Sequence, residues 1–332
     1  MHTEREKVLE IQGLRTQFFT AQGIVPAVDG IDLTVHKGEA VGLVGESGCG
    51  KSMTAMSVMQ LLVPPGKIVE GSIRLNGDEL VGKTKNAMAD IRGNKISMIF
   101  QEPMTSLNPV FTIGKQVMEA IRQHTDISKE EAKKRTIDIF RKVGIPEAEK
   151  RISAYPHQLS GGLRQRVMIG MAMVCDPDLM IADEPTTALD VTIEAQILYL
   201  MKQLQEDRGT AIIMITHNLG VVAESCDYVY VMYAGKIMEE ANVYELFRHP
   251  LHPYTYGLLH SIPKITEVKQ HLYTIKGLVP NLLTLPKGCR FCTRCSKAMK
   301  ICTEYEPRLY ETEGGHKVRC FLMDEDVMKG GK

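Results

Sequence analysis

The sequence predicts an α/β protein whose core is a parallel sheet covered by helices. Short, mostly apolar segments recur along the chain at 40–44, 96–100, 179–182 and 211–215, and they alternate with segments of helical periodicity. A strand that is buried on both faces appears as a continuous apolar run. Strands that alternate with helices are typical of parallel sheets, because the connections between parallel strands are usually helical.

Two regions depart from this pattern. Residues 8–35 alternate between apolar and polar side chains, which predicts antiparallel strands. After about Arg248, proline, histidine and then cysteine become frequent. We therefore predict a domain over residues 1–248, with an antiparallel β subdomain and a helical subdomain at about 103–177. A small Cys-rich C-terminal extension is predicted over residues 249–332.

The overall composition excludes some classes of function. The 40 basic and 40 acidic residues give a formal net charge of zero, so the strongly basic face expected of a nucleic-acid-binding protein is not indicated. The charged N-terminus is not followed by the apolar run of a secretory signal. No stretch reaches the roughly 18 apolar residues that span a bilayer. If the protein works at a membrane, we expect another chain to hold it there.

The segment GESGCGKS at residues 45–52 fits the pattern G-x-x-x-x-G-K-[ST] and lies between a predicted strand and a predicted helix. Glycines allow the backbone to wrap closely around phosphate groups, and the helix N-terminus adds partial positive charge. We expect Lys51 to neutralise the β- and γ-phosphates and the Ser52 hydroxyl to ligate Mg²⁺. The predicted phosphate-binding residues of this phosphate loop are Gly45, Ser47, Gly48, Cys49, Gly50, Lys51 and Ser52.

A second candidate site follows the apolar strand at 179–182, which ends in two carboxylates. Behind a phosphate loop, Asp183 suits the coordination of Mg²⁺. Glu184 could polarise the water that attacks the γ-phosphate, as a general base does.

Four further motifs indicate a family. Residues 159–166, LSGGLRQR, resemble the signature motif of ABC ATPases and precede the Asp183–Glu184 strand by a short helix. Gln101, residues 187–190 and His217 resemble the Q-loop, D-loop and switch histidine of that family, in the expected order. The resemblance implies a P-loop NTPase fold of the ABC type, with ATP and Mg²⁺ as cofactors.

The resemblance also implies roles for individual residues. Two subunits would face each other head to tail, with Ser160, Gly161 and Gly162 of each contacting the ATP bound by the other. Gln101 would contact Mg²⁺ or water, and His217 would act with Glu184 in hydrolysis. An aromatic residue before the phosphate loop would stack on adenine. Phe18 aligns better than Phe19 by spacing, and both remain candidates.

Residues 102–109 and 249–259 resemble the peptide-importer branch of the family, and this resemblance covers nearly the whole chain. It implies an ATPase subunit that powers import of dipeptides or oligopeptides from the cytoplasmic face of the membrane. The implied partners are a second ATPase subunit, which is often a paired relative, two permeases and an extracytoplasmic peptide-binding protein. Nickel importers share these motifs, and a soluble ABC ATPase that acts in DNA repair or translation is a further alternative.

Five cysteines lie close together in the C-terminal extension, in the order C-x2-C-x2-C-x6-C-x17-C. Because cytosolic chains seldom keep disulfides, the spacing predicts a metal site, and thiolates suit either zinc or an iron–sulfur cluster. The resemblance favours a structural [4Fe–4S] cluster, although free thiols, a disulfide or a role in electron transfer are alternatives. The implied ligands are Cys289, Cys295, Cys302 and Cys320, with Cys292 as an extra thiol or alternate ligand.

Overall fold

The computed structural model describes residues 6–101, 106–187, 189–261, 274–312 and 314–330. The chain divides into two compact units. The first unit comprises Met1–Leu9, Val35–Ala40 and Leu75–Ile215, and the second comprises Glu10–Thr34, Val41–Arg74 and Thr216–Lys332. Each unit is therefore assembled from segments that are distant in sequence.

The strands are β1 (Lys7–Thr20), β2 (Gly23–His36), β3 (Ala40–Val44), β4 (Gly66–Leu75), β5 (Asp78–Glu79), β6 (Ile96–Ile99), β7 (Leu179–Asp183), β8 (Ala211–Thr216), β9 (Tyr228–Tyr233), β10 (Lys236–Asn242), β11 (Tyr310–Glu311) and β12 (Lys317–Val318). The helices are α1 (Lys51–Val58), α2 (Lys85–Ile91), α3 (Ile113–His124), α4 (Lys129–Lys142), α5 (Ala148–Arg151), α6 (Gly161–Met173), α7 (Val191–Arg208), α8 (Leu219–Ser225), α9 (Val243–Arg248), α10 (Pro253–His260), α11 (Lys300–Glu304) and α12 (Glu325–Gly330).

In the first unit, three of the predicted apolar strands lie side by side. Strand β7 pairs in parallel with β6 on one side and with β8 on the other. Every residue of β7 is buried, as expected for a central parallel strand. Because the strands are parallel, their carboxyl ends meet at one edge of the sheet, which is where Asp183 and Glu184 lie.

The helices of the first unit begin at residues that suit helix N-termini. Thr112, Ser128 and Ser160 are the N-caps of α3, α4 and α6, and each side chain accepts a hydrogen bond from the backbone N–H three residues later. Among the described residues of the chain, no helix is both long and apolar enough to cross a membrane.

In the second unit, β3 pairs in parallel with β9, and β9 continues into an antiparallel hairpin with β10. The short strands β11 and β12 extend this sheet, because β12 pairs with β10. Most of β1, β2 and β4 also belongs to this unit, and these strands neighbour one another in the order β2-β1-β4.

The C-terminal extension is attached to this sheet through buried polar contacts. The carboxylate of Glu239 on β10 is fully buried and accepts hydrogen bonds from the backbone N–H groups of Leu251 and His252. The same carboxylate contacts His316 Nε2 at 2.7 Å. These contacts compensate for the cost of burying the Glu239 carboxylate. They hold the start of the extension, at Leu251 and His252, and its later part, at His316, against β10.

Candidate functional site

The phosphate loop connects β3 to α1, and its glycines occupy positions that exclude other side chains. Gly45 and Gly50 have φ angles of +152° and +114°. A Cβ atom at Gly45 would lie 2.1 Å from the carbonyl oxygen of Met232, and one at Gly50 would lie 2.4 Å from that of Ala27. The loop can therefore follow this path only with glycine at both positions.

Lys51 and Ser52 are the first two residues of α1, where backbone N–H groups have no partner within the helix. Gly50, the N-cap residue, supplies no side-chain hydrogen bond to this helix end. The Lys51 ammonium group is buried and donates to the carbonyl oxygens of Gly45 at 2.8 Å and Glu46 at 3.1 Å. The loop thus concentrates a cation and a helix N-terminus in one place, which is the requirement for binding phosphate.

Contacts with the end of β9 and with α10 support the loop. Gly235 N–H donates to the carbonyl oxygen of Cys49 at 2.8 Å, and Glu46 N–H donates to the Tyr254 hydroxyl at 2.8 Å. Burial raises the pKa of the Cys49 thiol, so this side chain is protonated and packs as a small apolar group. Among the predicted phosphate-binding residues, Cys49 can therefore contribute only its backbone.

The two candidate adenine-stacking residues differ in their surroundings. Phe18 on β1 is half-buried and packs against Gly66, where a Cβ atom would lie 2.7 Å from the Phe18 ring. The neighbouring Phe19 points to the other face of the strand and is 44% exposed. Its backbone N–H donates to the carbonyl oxygen of Pro65. Phe18 is therefore held more firmly by its neighbours than Phe19.

The carboxyl end of β7 brings together two of the predicted catalytic residues. Gln101 Nε2 donates a 2.9 Å hydrogen bond to Glu184 Oε2. The same carboxylate oxygen accepts a second bond of 2.9 Å from the Thr187 hydroxyl. The sequence interpretation missed Thr187 as a partner of Glu184; its position three residues after the carboxylate, in the turn that follows β7, is the signal that could have identified it.

The backbone at Glu184 adopts a left-handed conformation with φ of +48°, which is unusual for a residue other than glycine. Its N–H donates to the carbonyl oxygen of Ile215 on β8 at 2.8 Å, and this bond fixes the turn. Strained conformations of this kind persist where the surrounding structure holds them, and they cluster at active sites. The preceding residue, Asp183, is buried at the end of β7.

The signature segment begins helix α6. Ser160 is its exposed N-cap, and the Ser160 hydroxyl accepts a 3.4 Å hydrogen bond from Leu163 N–H. Gly161 and Gly162 form the first turn, and a Cβ atom at Gly162 would lie 3.0 Å from the side chain of Ile193 on α7. The small residues therefore allow α6 and α7 to approach closely, and they leave the backbone of this turn accessible.

The predicted site residues are divided between the two units. Gln101, Ser160, Gly161, Gly162, Asp183 and Glu184 belong to the first unit, whereas Phe18, the phosphate loop and His217 belong to the second. His217 is exposed and follows β8 directly. Residues 102–105 of the peptide-importer motif and Ala188 of the D-loop motif lie outside the described residues.

The cysteines of the C-terminal extension lie in one neighbourhood. Cys289, Cys302 and Cys320 are buried, whereas Cys292 and Cys295 are partly exposed. Cys289 N–H donates to the carbonyl oxygen of Cys302 at 2.8 Å. Burial, together with the nearby thiols, raises the pKa of Cys289 to about 12 and that of Cys320 to about 11.

This arrangement corrects the prediction of a metal centre. Within the described part of the chain, no group of three or more His, Cys, Asp or Glu side chains is placed so that it could hold a metal ion. The residues present do not fit a [4Fe–4S] cluster or a zinc site, and the relatives described next are peptide transport proteins whose names specify ATP binding and no iron–sulfur group. Spacing alone was an insufficient guide, because it fixes which thiols are near one another but not where each sulfur points.

Comparison with known proteins agrees with the fold. The model of the ABC transporter family matches residues 28–187, and the model of the oligopeptide/dipeptide transporter C-terminal region matches residues 238–302. The chain belongs to the family of ABC transporter ATP-binding proteins, and it has the P-loop ATPase fold of that family.

Among its relatives is the oligopeptide transport ATP-binding protein AppD of Bacillus subtilis, which is 53% identical over 96% of this chain and 98% of AppD. The oligopeptide transport ATP-binding protein OppD of the same organism is 49% identical over 97% of this chain and 91% of OppD. The dimeric, post-hydrolysis structure of the ATP-binding cassette MJ0796 bound to ADP and Pi aligns with a TM-score of 0.64 and 26% identity. That alignment covers 71% of this chain and 98% of the cassette.

Proposed function

We propose that this chain hydrolyses ATP to power the import of dipeptides or oligopeptides through a membrane transporter. The observation that carries the proposal is the combination of a complete phosphate loop with Glu184, whose carboxylate is oriented by Gln101 and Thr187. The peptide-transport names of AppD and OppD, which align over nearly their whole lengths, support the choice of solute.

In this proposal, the backbone N–H groups of the phosphate loop and the start of α1 bind the phosphates of ATP, and Lys51 neutralises part of their charge. The Ser52 hydroxyl, Asp183 and Gln101 supply oxygen ligands of the kind that Mg²⁺ prefers. When bound, Mg²⁺ neutralises the charge that develops on the transferred phosphate. Phe18 stacks on adenine, and Phe19 is the alternative.

Glu184 is the general base in this proposal. Its carboxylate accepts a proton from the attacking water, and the hydrogen bonds from Gln101 and Thr187 hold the carboxylate in one orientation. Loss of that orientation would lower the fraction of encounters in which water is correctly placed. His217, which directly follows β8, assists hydrolysis.

The signature segment acts on a second subunit. Ser160, Gly161 and Gly162 present a hydroxyl group and the N–H groups of a helix N-terminus, which suit the γ-phosphate of an ATP molecule held by the partner. ATP then holds the two subunits together, and hydrolysis releases them. The closed pair is favoured only while ATP is bound, because only the closed pair makes the contacts between the signature segment and the γ-phosphate. The partner in the peptide importer is a paired relative, so the working pair is a heterodimer.

The remaining partners follow from the same assignment. Two permease subunits hold the ATPase pair at the cytoplasmic face of the membrane, and an extracytoplasmic peptide-binding protein delivers the solute. Residues 1–248 form the nucleotide-binding domain, with a helical subdomain at about 103–177, and residues 249–332 form the extension that marks the peptide-importer branch.

The experiment that tests this function is a measurement of ATP hydrolysis by the complex reconstituted with its permeases and binding protein in lipid. We expect peptides that saturate the binding protein to stimulate hydrolysis several-fold, and the same complex with Glu184→Gln serves as the control for contaminating ATPases. Stimulation by nickel in place of peptide would redirect the assignment to a nickel importer. Failure of the chain to bind permeases that assemble with one another would contradict a transport function.

A further inference from the structure

Within the second unit, the buried Arg294 of the C-terminal extension contacts the phosphate loop. Arg294 Nη1 and Nη2 donate to the two carboxylate oxygens of Glu46, the second residue of the loop, and the Nη2–Oε1 distance is 3.1 Å. The Arg294 side chain is 5% exposed and that of Glu46 is 27% exposed. A two-point contact between a guanidinium and a carboxylate fixes both groups in orientation, and burial protects the contact from screening by salt.

Arg294 is itself held in place on several sides. Its Nε and Nη2 donate to the carbonyl oxygens of Lys276 and Ile275. Its Nη1 also lies 3.4 Å from the Tyr233 hydroxyl. Glu46 raises the pKa of the guanidinium, as expected for a buried ion pair. The arginine is therefore preorganised by the extension rather than recruited from solvent.

A second group of contacts leads from the extension to the same loop. Arg290 donates to the Asp29 carboxylate and to the carbonyl oxygen of Ala234. Gly235, which follows Ala234 in the chain, donates its N–H to the carbonyl oxygen of Cys49 within the loop. In addition, Tyr254 accepts the N–H of Glu46, and the Phe291 ring packs against the Tyr254 ring with centroids 5.3 Å apart. The extension thus contacts both the side chain of Glu46, through Arg294, and the backbone N–H of Glu46, through Tyr254.

The charge of Glu46 explains why such a contact is needed. A carboxylate at the second position of a phosphate loop lies beside the binding place of a polyanion, where it would repel phosphate. Two like charges a few ångströms apart repel each other more strongly at a protein surface than in bulk water, because the effective dielectric constant is lower there. Pairing with Arg294 cancels this charge and turns the carboxylate toward the extension.

We propose that Arg294 is a positioning residue for nucleotide binding: it neutralises Glu46 and holds the phosphate loop in the conformation that accepts the phosphates of ATP. The C-terminal extension is then part of the ATP-binding apparatus of the chain. Nucleotide affinity is set in part by residues nearly 250 positions from the loop.

The test compares nucleotide affinities of the full-length chain, measured by calorimetry, for Arg294→Gln, Arg294→Lys and the double variant Arg294→Gln with Glu46→Gln. We expect Arg294→Gln to weaken ATP binding about tenfold, which corresponds to roughly 1.4 kcal/mol. Arg294→Lys keeps the charge but loses the two-point contact, and its affinity should be intermediate. The double variant should return to within about twofold of the parent, because removing both partners leaves no unpaired charge.

Two further measurements separate this role from a general loss of structure. The effect of Arg294→Gln should decrease from ATP to ADP to adenosine, because the unpaired carboxylate acts on phosphate charge. The thermal unfolding midpoint of each variant reports whether the fold is intact, and Arg308→Gln is a matched control, since Arg308 is an exposed arginine of the extension that stacks on Tyr310.

An unchanged ATP affinity in Arg294→Gln would overturn the proposal. An equal loss of affinity for adenosine and ATP would also overturn it, as would a folded double variant that binds ATP as weakly as the single variant.

Discussion

The phosphate loop and the carboxyl end of β7 hold their functional groups in different ways. In the loop, the backbone is the proposed phosphate-binding group, and glycines with positive φ at Gly45 and Gly50 let it pass close to Met232 and Ala27. At the end of β7, the proposed catalytic group is the side chain of Glu184, which accepts hydrogen bonds from Gln101 and Thr187. Nucleotide binding and hydrolysis should therefore be separable by mutation, and the variants below test that separation.

The largest effect is expected from Glu184→Gln. The amide is nearly the same shape as the carboxylate but cannot accept the proton of water, so kcat should fall by a factor of about 10²–10⁴. ATP affinity should stay within about twofold, because the phosphate loop is unchanged. Steady-state kinetics and nucleotide titration measure the two quantities, and Glu206→Gln, at an exposed position of α7, is the control. A turnover within a few-fold of the parent would mean that Glu184 is not the base.

Lys51→Ala tests the other half of the comparison. The variant removes a buried ammonium group from the loop but leaves the glycine backbone intact. Since a charge-assisted hydrogen bond contributes about 1.5–3 kcal/mol, ATP affinity should fall roughly 10- to 100-fold. Equilibrium titration with a fluorescent ATP analogue measures the change, with Lys67→Ala at an exposed position of β4 as the control. Unchanged affinity would contradict the assignment of the phosphate loop.

The stability of the region around helix α10, which contacts the phosphate loop through Tyr254, should decrease in acid. His252 caps helix α10, where its Nδ1 accepts the N–H of Tyr254, and burial lowers the pKa of His252 to about 4 although Glu239 opposes the shift. Between pH 6.5 and 4 the unfolded chain binds a proton that the folded chain does not, so the free energy of unfolding decreases as the pH falls through this window. By pH 5 the loss should be about 2 kcal/mol.

Denaturant unfolding at pH 7.5 and pH 5 measures this loss. The variant His252→Asn keeps a residue that caps helices well but does not titrate, so its stability should change less between the two pH values. His249→Asn, at an exposed position, should behave as the parent does. If parent and His252→Asn lose the same stability in acid, another group is responsible.

The smallest effect is expected from Gln101→Ala. This change removes the hydrogen bond from Gln101 to the Glu184 carboxylate and leaves the bond from Thr187 in place. A neutral hydrogen bond contributes about 0.5–1.5 kcal/mol, so kcat should fall roughly 2- to 10-fold at nearly constant ATP affinity. The same kinetic assay measures the change, with Gln203→Ala on α7 as the control. A loss as large as that of Glu184→Gln would show that Gln101 does more than orient the base.

The sequence predicted the parts of the site that depend on contiguous residues. The phosphate loop is recognisable because glycine spacing determines the path of its backbone, and the strand ending at Asp183 is recognisable because its side chains are uniformly apolar. The contact of Gln101 with Glu184 was not predicted, because the order of the motifs indicated only that Gln101 would contact Mg²⁺ or water. Their contact joins residues 83 positions apart.

The parts that were missed depend on distant residues. Tyr254 and Arg294 contact Glu46 from 208 and 248 positions away, and nothing in their local sequences indicates the loop as their partner. The cysteines show the opposite error. Their spacing correctly indicated proximity, but a metal site also requires the sulfur atoms to converge, and this depends on how the rest of the chain folds around them.

Uptake of a labelled peptide by proteoliposomes that contain the whole transporter, with ATP supplied on the side of this chain, is a direct test of peptide import. The parent should accumulate peptide above the external concentration and Glu184→Gln should accumulate none, although both bind ATP. Equal accumulation by parent and variant, or ATP hydrolysis by the parent complex without any accumulation of peptide, would contradict the proposed import function.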